Sequence, residues 1–359
     1  MATQVSSGNE AEKPASKALS RLKAAGIVFT LAGLGLFIYF IYSTGLSEIG
    51  EGIAKVGISG FALILFIYLL RVSVRASAWS LSVYGPYELR FRDTFPAVII
   101  GEALSSLIPL GILVSGTAKA VAVRRKLPLV VGLSSVATEN IFYSFVTALF
   151  ISLGSILFLR SFDLDPEYVW LIDVLLVFIV LLLAFVTLMI VRQWHWASGI
   201  CERLYDRGML TGILKSGRLQ VRLFENLIYG YYRRYPKRFV PILLLQAAFH
   251  SLGVVEVLFI LSKISGVAQS LTTAFFLETI SRLVTIVFKL IPFVIGVDEA
   301  GAEFVVKTLA IGAGIGVTLA IVRKARILFW AIVGVVLIVK RGISLKDIRK
   351  VHEEVEDIG

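Results

Sequence analysis

Polar residues cut this chain into long apolar runs, and the length of the runs predicts helices that cross a membrane. Residues 24–42 carry no charge, residues 56–81 are apolar apart from Arg71 and Arg75, and residues 127–159 hold one charge, Glu139. Residues 169–191 hold only Asp173. Residues 239–262 hold His250 and Glu256, and residues 312–339 hold Arg323, Lys324 and Arg326. Each run supplies the roughly 20 residues that a helix needs to cross about 30 Å of hydrocarbon. Six spans are therefore expected.

Two further stretches do not fit a simple span. Between Pro96 and Pro109 lie twelve residues, which as a helix reach roughly 18 Å and fall short of the far side. After a break at Pro109-Leu-Gly111 the chain soon meets the basic run Arg124-Arg125-Lys126, so it returns to the side it left. This predicts a re-entrant hairpin, opened from the cytoplasm, whose unpaired tip lines a cavity or is buried in protein. A second hairpin, opened from outside, is expected where residues 271–291 descend, break at Pro292 through Gly296 and return over residues 300–310. Its 21-residue descending arm is also long enough to cross fully. Leu107-Ile108-Pro109 recurs as Leu290-Ile291-Pro292, and span–hairpin–span recurs with opposite orientation. The expected architecture is thus an all-α membrane protein built as an inverted repeat, in the manner of many secondary transporters.

Composition agrees: 57% of residues are hydrophobic and 17% charged, too apolar for a soluble protein of this length. The loops and tails on one side hold 25 lysines and arginines against Lys55, Arg160 and Lys263 on the other. By the positive-inside rule both termini are cytoplasmic, in a cytoplasmic (inner) cell membrane. Residues 1–23 are expected as a flexible tail before an uncleaved anchor, 24–340 as the membrane domain, and 341–359 as a second cytoplasmic tail. Within the domain, residues 192–238 form a basic connector with leucines near helical spacing, expected on the inner leaflet. The net charge of +11 is mainly a topology signal, and nucleic-acid binding is excluded on that ground. The single Cys201 excludes an intramolecular disulfide.

Eight cations remain inside apolar stretches: Arg71, Arg75, Arg282, Lys289, Lys307, Arg323, Lys324 and Arg326. A cation at the bilayer centre costs about 2.5–3.5 kcal/mol even on the lenient scale. Such residues imply a polar interior, a partner or a charged cargo, so a passage for an anion is expected. Arg71 and Arg75 share a helix face; Arg75 is placed to snorkel to the headgroups, Arg71 less so. Glu278 and Arg282, also four apart, form either an internal ion pair or a gate that cargo opens. Glu102 and Glu139 are buried acids, each an arginine partner or a proton carrier. Asp298 or Glu299 caps the helix after Gly296. Arg323 and Arg326 share a face while Lys324 points elsewhere, and a kink could lift all three to an interface. No catalytic set, metal-ligand spacing, phosphate loop or nucleophile elbow is present, so neither an enzyme nor a cofactor is expected.

From about Phe95 to Lys340 the chain resembles the transmembrane, flippase-like domain of the lysylphosphatidylglycerol synthase family. The resemblance rests on the order of a Phe-His start at Phe249, Glu256-Val-Leu-Phe, Phe276-Leu-Glu278-Thr, Ile291-Pro-Phe, Gly296-Val-Asp-Glu299, and Arg323-Lys-Ala-Arg326 before Trp330. That order is similar to the branch associated with hopanoid biosynthesis. Full-length synthases carry a soluble aminoacyl-transfer domain after the membrane part, whereas this chain ends about twenty residues after its last expected span. The resemblance therefore implies lipid translocation, with membrane lipid as substrate and lipid-biosynthesis enzymes as partners. Relatives usually show an acid and an arginine after the first hairpin's glycines; here Gly116-Thr-Ala-Lys119 puts Lys119 in the place of the base and leaves the acid out. Two other roles compatible with the residues are proton-coupled transport of a small organic anion, through Glu102 or Glu139, and a non-transporting subunit of a lipid-synthesis complex.

Overall fold

The computed structural model describes residues 38–39, 41–42, 45–107, 111–163, 165–207, 211–266, 268–288, 294–312 and 314–341, without the side chains of 111–113 and 211–217. The described residues form eleven α-helices and no strands. Four of these are long and apolar enough to cross a membrane: α1 (Leu46–Leu81), α4 (Leu129–Ser161), α5 (Pro166–Val191) and α8 (Phe239–Ser265), the last with a preceding 3₁₀ turn, Pro236–Arg238. The chain is thus a multi-pass membrane protein. The expected span at 24–42 lies almost wholly outside the described residues. The expected last span is helix α11 (Ile315–Lys340), a continuous helix long enough to cross but carrying Arg323, Lys324 and Arg326 within its apolar sequence.

The two broken regions are helix pairs of matching length. In the first, α2 (Phe91–Leu107) has 17 residues and α3 (Gly111–Ala122) has 12. In the second, α9 (Leu271–Val287) has 17 and α10 (Val297–Thr308) has 12. At about 1.5 Å per residue the longer arms reach roughly 25 Å, still short of the hydrocarbon thickness. Two expected bounds are corrected here. Helix α2 starts at Phe91 and runs through Pro96; that proline stands near the N-terminus, where a missing N–H removes little of the ladder. Helix α9 stops at Val287 rather than 291, and α10 begins at Val297 rather than 300. Gly296, with φ 82°, adopts a positive-φ conformation open to glycine and precedes the first turn of α10. Pro109 and Pro292 lie outside the described residues, while Gly111 opens α3.

The centre of the fold is the antiparallel pair α1 and α8. Lys55, early in α1, donates to the Ile264 carbonyl at the end of α8 at 3.4 Å. At the opposite end Arg238 donates to the Leu81 carbonyl at 3.1 Å, and the Tyr231 hydroxyl donates to it at 2.7 Å. A break at Gly57 (φ 62°) sets the first turns of α1 apart from its membrane-crossing length. Around this pair, α2 packs on α3 and on α11, while α9 packs on α10 and on α4. The crossings are close because small residues face them. A Cβ on Gly334 would lie 2.4 Å from Ala103 of α2, and one on Gly154 would lie 2.4 Å from Thr279 of α9.

Helices α5, α6 (Trp196–Asp206) and α7 (Thr211–Arg234) connect the two halves. Helix α5 is peripheral, with Val177, Phe178 and Leu181 exposed on a face suited to lipid. Helices α6 and α7 pair through Glu225, whose carboxylate accepts from Ser198 Oγ at 2.6 Å and the Ala197 N–H at 2.9 Å. Two apolar cores flank the middle of the molecule. One gathers Ile64, Ile260, Leu277, Val305 and Leu319; the other gathers Val72, Trp79, Ile99 and Val136. Along α1 and α11 the charged residues fall between these cores.

Candidate functional site

Between the cores lies a cavity of about 420 Å³ into which both hairpins project. Six cations line it: Arg71 and Arg75 from α1, Lys119 from α3, Arg282 from α9, and Arg323 and Arg326 from α11. Glu102 and Asp298 are the carboxylates in the wall. Its size falls within the usual range of small-ligand sites, but its lining is far more charged than most.

The arginines are held from behind by two carboxylates. Glu278, fully buried, accepts from Arg282 Nη2 at 2.6 Å, from Arg323 Nη2 at 2.9 Å and from Arg71 Nη2 at 3.5 Å. Glu256 accepts from Arg71 Nη1 at 3.0 Å and from Arg326 Nη1. Arg71, 2% exposed, bridges both acids. These pairs make the buried charges tolerable, since a desolvated ion needs both a partner and hydrogen bonds. Helix geometry explains the arrangement: Glu278 and Arg282 are one turn apart on α9, and Arg323 and Arg326 share one face of α11.

Aromatic faces complete the support. The Arg71 guanidinium lies 4.5 Å from the Phe249 ring centre, Arg326 lies 4.4 Å from that of Tyr68, and Arg75 lies 4.6 Å from that of Tyr143. Each contact stabilises a desolvated cation by about 0.5–2 kcal/mol.

Arg75 does not snorkel. It turns inward, donating to Glu102 at 2.5 Å, Asn140 at 3.3 Å and Glu139 at 3.4 Å. Glu139 also accepts from Gln246 Nε2 at 2.9 Å, which fixes it behind the arginine. Helix α11 is continuous, so no kink lifts its cations to an interface. Lys324 leaves the arginine face and lies 2.7 Å from Glu299 and 3.7 Å from Asp298. The other Glu299 oxygen accepts from the Gly296 N–H at 2.8 Å, closing the first turn of α10. Lys307, mostly exposed, lies 3.9 Å from Glu303 and away from the cavity. Lys289 lies outside the described residues.

Of the residues singled out in the sequence, the structure brings Arg71, Arg75, Glu102, Lys119, Arg282, Asp298, Arg323 and Arg326 to the cavity wall. Glu139, Glu278 and Glu299 stand behind it. Glu256 was missed as a site residue, although a carboxylate in an apolar run carries the same signal as the arginines did. The aromatic shelf of Tyr68, Tyr143 and Phe249 left no sequence signal, because such residues are common in any membrane helix. Among the described residues no group of three His, Cys, Asp or Glu side chains is arranged to hold a metal ion.

A multi-pass helical protein with two broken helix pairs around a buried, arginine-lined cavity defines the class. Residues 23–335 match the lysylphosphatidylglycerol synthase TM region, and the chain belongs to that family. Membership ties it to lipid biosynthesis or transport at a membrane. No curated protein and no solved structure matches the chain.

Proposed function

We propose that this protein moves a lipid with an anionic or polar headgroup between membrane leaflets. The headgroup passes through the cavity between the two hairpins while the tails stay in hydrocarbon. The observation that carries this reading is the buried arginine cluster: four guanidinium groups on two carboxylates, lining a cavity among the long apolar helices. A headgroup entering the membrane must give up its hydration, and fixed cations replace that water. The role needs no covalent chemistry, and we assign the chain no catalytic residue.

The helix packing supports reading α1–α4 and α8–α11 as inverted copies with re-entrant hairpins. Exchanging one set for the other turns the α2–α11 contact into the α9–α4 contact, and the α2–α3 pair into the α9–α10 pair. The two hairpins also have equal arm lengths, and a glycine serves the same crossing in each half, Gly334 of α11 against α2 and Gly154 of α4 against α9. Such a repeat places a site near the midplane that each half can expose in turn. The 25-to-3 cation asymmetry supports cytoplasmic termini in a cytoplasmic membrane. The ordered motifs from Phe249 to Trp330 favour the hopanoid-associated branch, and isoprenoid-cyclase genes beside this one would support that assignment.

The test is reconstitution into sealed vesicles with a fluorescent anionic phospholipid and a quencher confined outside. Protein-dependent loss of the protected fraction is expected. Vesicles that exchange no lipid yet accumulate a soluble organic anion in a proton-dependent way would replace this reading with that of a secondary transporter.

A further inference from the structure

The cavity wall is divided in its chemistry. Of the six serine, threonine and asparagine residues that line it, five come from the first half of the fold: Ser105 and Ser106 on α2, Ser115 on α3, and Asn140 and Ser144 on α4. The sixth, Thr285 on α9, donates to the Ser281 carbonyl at 2.7 Å. Helices α9 and α11 instead contribute Arg282, Arg323 and Arg326. An anion at the arginines accounts for that side and leaves the neutral side without a role. At about 420 Å³ the cavity has the capacity of a small-ligand site, more than a bare anion fills.

The neutral side is open for hydrogen bonding. A hydroxyl on a helix commonly donates to its own backbone about one turn back, as Ser73 and Ser77 of α1 do at 2.8 and 2.9 Å. Ser105, Ser115 and Ser144 make no hydrogen bond among the described residues, so each can both donate and accept. Close packing of helices would bury such hydroxyls, but Ser105 and Ser115 are half-buried and Ser144 is exposed. Ser106 donates to the Glu102 carbonyl at 3.0 Å, and its oxygen can still accept. Asn140 Oδ1 accepts from Arg75 at 3.3 Å, which leaves the NH₂ as the donating end of the amide. Glu102 adds a carboxylate that is 30% exposed. Gly101 lets α3 bring its groups against α2: a Cβ there would lie 3.1 Å from Ser115 Oγ and 2.7 Å from Lys119 Cε.

Resting on the lipid-translocation reading above, we infer that the headgroup carries a neutral polyhydroxyl ring, a sugar or cyclitol, beside its anionic group. The anion lies at the arginines and the ring lies against α2, α3 and α4. Such a ring presents several hydroxyls, each a donor and an acceptor, to groups that reach it from three helices. An ammonium group offers donors only and leaves the Asn140 amide and the serine hydroxyl protons without an acceptor.

Binding to the full chain in a neutral detergent, read as ligand-induced thermal stabilisation, provides the test. The probes share dioctanoyl tails and a phosphodiester: phosphatidylinositol, phosphatidylcyclohexanol (the same ring without its hydroxyls) and phosphatidylethanolamine. The inositol lipid is expected to bind at least about tenfold more tightly than either, because a site built to hydrogen-bond hydroxyls rejects analogues that lack them. Ser105→Ala combined with Ser115→Ala is expected to erase most of that preference and to leave the affinity for the cyclohexanol lipid unchanged. Equal affinity of the wild type for the inositol and cyclohexanol lipids overturns the inference and leaves the lipid reading standing. Tighter binding of phosphatidylethanolamine also overturns it, and assigns the wall to an ammonium group. A folded double variant that keeps the full preference overturns the placement of the ring. Glycerophosphoinositol, the headgroup without tails, binding as tightly as the lipid supports the ring but overturns the lipid source. Binding of none of the lipids overturns both readings. Because the wild-type comparison needs no substitution, a variant that fails to fold does not rescue the inference.

Discussion

Arg323 on α11 reaches Glu278 on α9 at 2.9 Å, joining the second broken helix pair to the last long helix. The same carboxylate holds Arg282 one turn along its own helix and Arg71 from α1. Glu278 is therefore a hub for three elements, not half of an isolated pair.

This alters what mutation should do. An isolated Glu278–Arg282 pair would make the double alanine variant milder than Arg282→Ala alone, since no charge would be stranded. With three arginines on Glu278, the double variant should be worse than Arg282→Ala. It should lie close to Glu278→Ala, at a loss of about 3–5 kcal/mol. Thermal unfolding in detergent of the wild type, both singles and the double decides between these orders.

The hub also depends on close approach. A Cβ at Gly253 of α8 would stand 2.6 Å from Glu278 Oε1 and 3.1 Å from Arg71 Nη2. Gly253→Ala should cost about 1–3 kcal/mol, as overpacked sites do. Gly50 of α1 meets nothing within 4 Å, and Gly50→Ala should be neutral or stabilising by up to about 1 kcal/mol. Equal melting temperatures for the two variants would show that Gly253 is not packed as described.

Topology gives an independent check on the first hairpin. In a Cys201→Ser background, Arg125→Cys should react with a membrane-impermeant thiol reagent only in inside-out vesicles, and Asp163→Cys only in right-side-out ones. Arg125, between α3 and α4, is exposed. Labelling of Arg125→Cys from outside would mean that α2 and α3 together cross the membrane once instead of forming a re-entrant hairpin, and the inverted-repeat reading would fail.

Much of this architecture is visible in the sequence. Helix α5 (Pro166–Val191) differs from its predicted run by three residues at one end, because an uninterrupted apolar stretch needs only length to be recognised. Pro109 and Pro292 mark the broken pairs in the sequence but not the helix ends, which lie at Phe91, Val287 and Val297. Proline near a helix start does not break it, as Pro96 shows, and the end of α9 depends on packing beyond local propensity. The arginines were found because a buried charge is anomalous wherever it occurs. Their partners were harder to assign: Arg71 and Glu256 are 185 positions apart, and no periodicity within one helix reports such a contact. Arg75 shows the same limit, since snorkelling and an inward turn toward Glu102 share one sequence pattern.

In the proposed function the headgroup passes the arginine cluster. The most direct measurement of that passage is the leaflet-exchange rate of a fluorescent anionic phospholipid in sealed vesicles containing wild type, Arg71→Ala or Arg326→Ala. Protein folding is checked in parallel by melting temperature and by monodispersity in detergent. Both variants are expected to fold yet slow exchange by about tenfold or more, as the loss of a charge-assisted contact of about 1.5–3 kcal/mol implies. Folded variants that exchange lipid at the wild-type rate would contradict the claim.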